Sequence, residues 1–165
     1  PARDRYDMVR ASLEEYPSLL VSDMELNREG PSYTIDTIHA FKKEFSPSTR
    51  FYLLMGSDAF FDINTWKARQ ELFKTVTIVI MLRGEWTDTG EFTRFIDERI
   101  SKRYIYNQKT GVFSHDTLQD ICICRVPRID ISSTMVRERV KAGLSIRDLV
   151  PEPVEQMIRK KEYYQ

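Results

Sequence analysis

Apolar residues recur at intervals of three and four along Tyr6, Val9, Leu13 and Tyr16, which predicts an amphipathic helix ending before Pro17. A strand-like run from Leu19 to Leu26 follows, and Asn27 to Pro31 has loop chemistry. Ile35, Ile38, Phe41 and Phe45 trace a second helix, with Ser32 or Thr34 as candidate cap and Ser46-Pro47 as its stop. Phe51 to Met55 is apolar without alternation, the pattern of a strand covered on both faces in a parallel sheet. Thr65 is placed to cap a helix carrying Trp66, Leu72 and Phe73, and Thr75 to Leu82 forms a second buried strand rich in Val and Ile. Phe92, Phe95, Ile96 and Ile100 are spaced for one more helix, and Ile121 to Val126 is the last clear strand. Asp130 to Ser133 opens a helix running through Val140 to Gly143. Pro151 or Pro153 starts a closing helix with Val154, Met157 and Ile158 inward. Strands alternating with helices imply right-handed crossovers, hence an α/β fold with a doubly wound parallel sheet flanked by helices. In such sheets ligands bind beyond the carboxyl ends of the strands, which directs attention to Gly56–Asp58, to Arg83 onward and to Pro127–Ser133.

The 165 residues suit a single domain, and 41% hydrophobic with 30% charged residues excludes a disordered or low-complexity chain. Twenty-five basic residues balance twenty-five acidic ones, so nothing favours a nucleic-acid backbone or a membrane surface, and an anionic ligand has to be held locally. The apolar runs fall far short of the roughly 20 residues that span a bilayer. Cys122 and Cys124 read as reduced strand residues pointing the same way, which fits a reducing, cytoplasmic compartment.

Three places combine chemistry with a strand end or helix start. Ile131-Ser132-Ser133-Thr134-Met135-Val136-Arg137 sets hydroxyls and backbone amides at a helix N-terminus with a guanidinium one turn in, the outline of a phosphate site. The same residues also read as a plain helix cap with a solvated arginine. Gly56-Ser57-Asp58 lets a ligand approach the backbone, with Asp58 accepting from a ribose or binding a metal, or it is a strand-to-helix turn capped by Asp58. Gly30-Pro31-Ser32-Tyr33-Thr34 presents hydroxyls and a ring, or simply enters a helix, and Trp66 stacks on a planar base or joins the core. His39 and His115 have no nucleophile or metal-ligand partner at a recognised spacing and read as structural or solvated. There is no phosphate-binding Walker loop and no dinucleotide Gly fingerprint.

Taken in order, four blocks resemble the bacterial nicotinate-nucleotide adenylyltransferases of the nucleotidyltransferase superfamily. They are Glu29 to Thr37, Gly56-Ser57-Asp58 with Trp66 downstream, Ile131 to Arg137, and Ile146-Arg147-Asp148-Leu149-Val150-Pro151. The resemblance implies a Rossmann-like fold and transfer of the adenylyl group of ATP, with its Mg²⁺, to nicotinate mononucleotide, giving deamido-NAD and pyrophosphate. It implies that Ile131, Ser132, Ser133, Thr134 and Arg137 hold the ATP phosphates while Gly56 and Asp58 line the nucleotide site. Ser32, Tyr33, Thr34, Trp66 and Arg83 would hold the pyridine nucleotide, with Trp66 stacked on its ring.

Two departures accompany the resemblance. Gly84-Glu85-Trp86 stands where the family places Pro and Gly after the arginine. The family's opening strand, Gly-rich turn and His-x-Gly-His motif are not in these residues. The expectation is therefore an N-terminally truncated piece of a longer enzyme, catalytically impaired, with catalytic residues unassigned. An exposed strand edge would then invite self-association into a homo-oligomer. The competing expectations are a noncatalytic nucleotide-binding domain and another adenylyltransferase such as one acting on pantetheine phosphate.

Overall fold

The structure is a computed structural model that describes residues 1–83 and 89–164. These residues form two units, Ser32–Ile129 and Pro1–Pro31 with Asp130–Gln165.

The first unit is built on a five-stranded sheet in the order β1-β2-β5-β4-β3. Strands β1 (Tyr52–Gly56), β2 (Thr77–Arg83) and β5 (Ile121–Val126) are parallel, with Leu54 opposite Val79 and Val79 opposite Cys122. Parallel neighbours need crossovers. Helices α3 (Ser57–Phe61) and α4 (Arg69–Thr75) lie between β1 and β2, and α5 (Gly90–Arg99) follows β2. The β-branched alternation of β2 sends Ile78, Ile80 and Leu82 into the core. Leu72 and Phe73 of α4 and Phe92 and Ile96 of α5 are buried in the same core cluster. Phe60 and Phe61 of the short α3 pack with Phe92 and Phe95 of α5, the Phe61–Phe92 rings stacked at 4.9 Å and the Phe60–Phe95 rings tilted to one another at 5.4 Å. This cluster fixes the turn at Gly56–Asp58, and truncating the buried Phe60 to Ala would cost about 3–5 kcal/mol. Helix α2 (Thr34–Glu44) buries Ile35 and Ile38, as its periodicity predicts.

Several expectations are corrected. The sheet is mixed: β3 (Ile105–Asn107) and β4 (Val112–Ser114) form a hairpin that joins β5 antiparallel. Its turn needs Gly111 at φ +70, where an added Cβ would lie 3.1 Å from the Ile123 carbonyl oxygen. β1 is not covered on both faces: Met55 is 5% exposed, whereas Tyr52 and Leu54 on the alternate face are 53% and 58% exposed. Leu19 to Leu26 is not a strand, because no described strand pairs with it. It turns instead, with the Leu26 amide donating to the Asp23 carbonyl, and Leu20 is fully outward. The first helix, α1 (Ala2–Ser12), stops short of Leu13 and Tyr16. The Ser12 hydroxyl donates to the Val9 carbonyl at 2.7 Å, the local competition that makes serine a poor helix continuer.

The second unit gathers α1, α6 (Ser133–Lys141) and α7 (Glu152–Lys160) around Val136, Ile146, Val154 and Ile158. Both ends of α6 follow their sequence signals. Ser132 caps its start. At its close, Gly143 at φ +66 lets its amide reach the Val140 carbonyl while the Leu144 amide reaches that of Arg139. Proline stands at the start of α7, whose Val154 and Ile158 turn inward. α1 packs on α7, where Lys161 Nζ lies 3.2 Å from Asp4 Oδ1. Among the described residues no helix is long and apolar enough to cross a membrane.

Candidate functional site

In the second unit, the entrance of α6 brings a capped helix start together with a guanidinium. Ser132 sits in extended backbone at φ −133 and ψ 152, and its Oγ accepts from the Met135 amide at 3.1 Å. Helical side chains lean toward their own N-terminus. Arg137 follows this rule: its Nη2 donates to Thr134 Oγ1 at 3.0 Å, which holds a permanently charged guanidinium at the positive end of the helix. Ile131, Ser132, Ser133 and Arg137 line a cavity of about 410 Å³ whose apolar wall includes Met8, Val136 and Val154. That size suits a small-molecule ligand.

Sequence reasoning missed the second charged residue of this cavity. Arg5 of α1 lines it together with Met8 and Val9, three residues on one helical face. The cavity therefore has two guanidiniums and no carboxylate in its lining. Arg5 stands one turn before Val9 on the apolar stripe, and a cation at the edge of such a stripe was the available signal.

In the first unit, Gly56 and Arg83 end parallel strands on one edge of the sheet, with Met81 opposite Gly56 and Val126 opposite Arg83. Gly56 takes the cap position of α3, so Asp58 lies inside the first turn rather than capping it. The Asp58 carboxylate folds back onto the strand end: a Cβ on Gly56 would stand 2.5 Å from Asp58 Oδ1. Asp58 and Arg83 are both exposed. The residues 84–86, where the family pattern is broken, lie outside the described residues.

At the head of α2 the cap position belongs to Tyr33, not to Ser32 or Thr34, and its side chain makes no capping hydrogen bond. Thr34 is the first helical residue, and the Asp36 and Thr37 amides reach the Tyr33 carbonyl. Trp66 is not on a helix. A 3₁₀ turn spans Ile63–Thr65, with Thr65 Oγ1 donating to the Asp62 carbonyl, and Trp66 follows it in extended backbone. The indole is half-buried and packs against the core. The next residue ties this loop to α2: Lys67 Nζ stands 2.9 Å from Asp36 Oδ2 and 4.5 Å from the centre of the Tyr33 ring.

Both histidines are engaged. His39 Nε2 lies 2.9 Å from Glu71 Oε1, linking α2 to α4. The His115 side chain is 3% exposed, and its Nδ1 accepts from the Thr117 and Leu118 amides at 3.0 and 3.1 Å. Its Nε2–H therefore faces Ser101 Oγ at 3.1 Å. Burial and the nearby Arg103 hold its pKa below the ordinary histidine value, so the ring is neutral. Asp116, 2.9 Å from the same Nδ1, is itself paired with Arg103. Among the described residues no three His, Cys, Asp or Glu side chains form a metal-binding group, and Cys122 and Cys124 are free thiols.

Comparison with known proteins gives this geometry its family. The cytidylyltransferase-like family model matches residues 1–139. The "Probable nicotinate-nucleotide adenylyltransferase" of Desulfatibacillum aliphaticivorans is 33% identical over 99% of this chain and 76% of that protein. Its namesake from Thermoanaerobacter sp. (strain X514) is 37% identical over 98% of this chain and 70% of that protein. The solved structure of Plasmodium falciparum nicotinic acid mononucleotide adenylyltransferase complexed with NaAD superposes with a TM-score of 0.65 at 17% identity, covering 98% of this chain and 73% of that one, which shows a shared fold. A second structure of that protein, complexed with APC, gives the same values for this chain. The chain thus belongs to the cytidylyltransferase-like nucleotidyltransferases and, within them, to the nicotinate-nucleotide adenylyltransferase family.

Proposed function

We propose that this chain binds MgATP and nicotinate mononucleotide and serves adenylyl transfer between them, yielding deamido-NAD and pyrophosphate in cytoplasmic NAD biosynthesis. One geometric observation carries the reading: the capped entrance of α6 with Arg137 bonded back to Thr134, opening into a cavity lined by two guanidiniums. Phosphate is the ligand that such donors and such a dipole end favour. Its relatives' names supply the acceptor.

In this mechanism an oxygen of the mononucleotide phosphate attacks the α-phosphorus of ATP in line. The bond from that phosphorus to the bridging oxygen breaks, and the electron pair leaves with pyrophosphate. Mg²⁺ arrives with the ATP phosphates as part of the substrate. The protein's share is positioning and charge stabilisation, the general pattern for such transfers. The α6 amides, Ser132, Ser133 and Thr134, with Ile131 leading into them, hold the departing phosphates, and Arg137 offsets their charge. Gly56 and Asp58 line the nucleotide site. Ser32, Tyr33, Thr34 and Arg83 contact the pyridine nucleotide, and Trp66 offers its ring a flat face.

His39 pairs with Glu71 and His115 lies in a buried amide cluster, and neither is assigned a role at the α-phosphate. Full turnover is accordingly expected from a polypeptide that adds the family's His-x-Gly-His segment to these residues. Calorimetric titration of the 165-residue chain tests the binding half. MgATP and nicotinate mononucleotide should each bind, with CTP and pantetheine phosphate much weaker. Preference for either of the latter would overturn the assignment of substrates.

A further inference from the structure

We infer that Lys67 is a positioning residue for the pyridine-nucleotide site, an inference that rests on the reading of Tyr33 and Trp66 given above. Its ammonium makes two contacts at the head of α2: 2.9 Å to Asp36 Oδ2 and 4.5 Å to the centre of the Tyr33 ring. The contact with Asp36 bridges 31 positions of sequence, since Asp36 lies in the first turn of α2 and Lys67 in the loop before α4. The lysine immediately follows Trp66, so where its backbone is held decides where the indole stands. That backbone is not relaxed. Ala68, the next residue, has φ +50, a left-handed conformation that a residue with a Cβ adopts at a cost and keeps where its surroundings hold it.

Three features supply that hold. Trp66 packs against the core on one side, His39 and Glu71 join α2 to α4 one turn further along, and Lys67 closes the gap between them. Tyr33 is 40% exposed, which leaves part of its ring open beyond the ammonium's contact. Lys67 therefore acts through its neighbours. It sets the spacing between the Tyr33 and Trp66 rings, and a planar pyridinium needs that spacing fixed before binding. A cation on an exposed ring and a surface ion pair are each modest interactions, so removing both should weaken binding by about five- to tenfold.

The test uses the 165-residue chain in a Trp86→Phe background, so that Trp66 is the reporting indole. Nicotinate mononucleotide is titrated by quenching of its fluorescence and MgATP by calorimetry. Lys67→Met keeps the aliphatic stem and removes the charge. It should raise the mononucleotide Kd about five- to tenfold, leave the MgATP Kd unchanged and make Trp66 more accessible to acrylamide in the free protein. Lys67→Arg, which restores a cation able to meet both Asp36 and the ring, should return the mononucleotide Kd to within about twofold. Wild-type mononucleotide affinity in Lys67→Met, or an equal loss for both ligands, would overturn the inference while leaving the proposed function intact. No mononucleotide binding by calorimetry in the parent chain, with MgATP bound, would overturn the proposed acceptor and this inference with it.

Discussion

The entrance of α6 and the head of α2 are both helix N-termini with a cationic side chain beside them, but they are assembled from different ranges of sequence. At α6 every contact is local: Ser132 to Met135, and Thr134 to Arg137, all within one helical turn. At α2 the cation is Lys67, and it arrives from the far end of β1, α3 and a 3₁₀ turn. The first arrangement forms wherever the helix forms. The second exists only once the sheet has placed the two segments side by side. The element proposed to hold phosphate should accordingly respond to substitution as a single helix turn does, and the element proposed to hold the pyridine ring as a tertiary contact does.

The largest expected effect falls on Arg137. Replacing it with Ala removes a charge-assisted donor of roughly 1.5–3 kcal/mol, so ATP affinity should fall by about 10- to 100-fold while nicotinate mononucleotide binding changes little. Titration calorimetry with each ligand separately reads this, and equal losses would break the division between the two elements.

Ser132 sharpens the comparison, because its structural and binding roles separate. Ser132→Ala should lower stability by about 1 kcal/mol through loss of the cap. Ser132→Asp keeps a capping oxygen and so should keep the melting temperature, yet it places a negative charge at the proposed phosphate position and should weaken ATP more than Ala does. Differential scanning calorimetry beside ATP titration distinguishes the two. A melting loss in the Asp variant matching that of Ala would mean that Ser132 does not cap in solution.

Arg5 gives a smaller test of the same cavity. It is exposed, so Arg5→Met should weaken MgATP by only about two- to fivefold, without changing mononucleotide binding. No change for MgATP would remove α1 from the site.

The smallest effect concerns pH and neither substrate. The neutral His115 ring has a folded pKa below its unfolded value of about 6.5, so the unfolded state binds the extra proton first. Its contribution is undiminished above pH 6.5 and is lost as pH falls from there toward the folded pKa. The melting temperature should drop between pH 7.5 and 5.5, and His115→Gln should flatten that drop. An unchanged slope would assign the acid sensitivity to other groups.

The same contrast between local and non-local contacts explains what the sequence made legible. Ser132 as cap, Gly143 as terminator, the proline start of α7 and β5 over Ile121–Val126 were all readable, because each depends on residues within a few positions. β3 and β4 were not readable, because three residues each are too few to show a period. Leu19 to Leu26 showed the opposite failure, since its apolar pattern is strand-like but the sheet offers it no partner. Trp66 carried helical spacing, yet the 3₁₀ turn at Ile63–Thr65 left it in extended backbone. In the candidate site, Arg137 was legible beside Thr134. Arg5 offered only its place beside the apolar stripe of α1, which does not name the cavity it lines, and nothing near Lys67 names Tyr33.

The most direct test of the central claim follows the label during turnover. The protein, extended upstream to include a His-x-Gly-His segment, is incubated with Mg²⁺, nicotinate mononucleotide and ATP labelled at the α- or the γ-phosphorus, and the products are separated by chromatography. The account predicts α-label in deamido-NAD and γ-label in pyrophosphate, formed in equal amounts and abolished without the mononucleotide. Release of γ-label as inorganic phosphate, or α-label that never enters a dinucleotide, would contradict it.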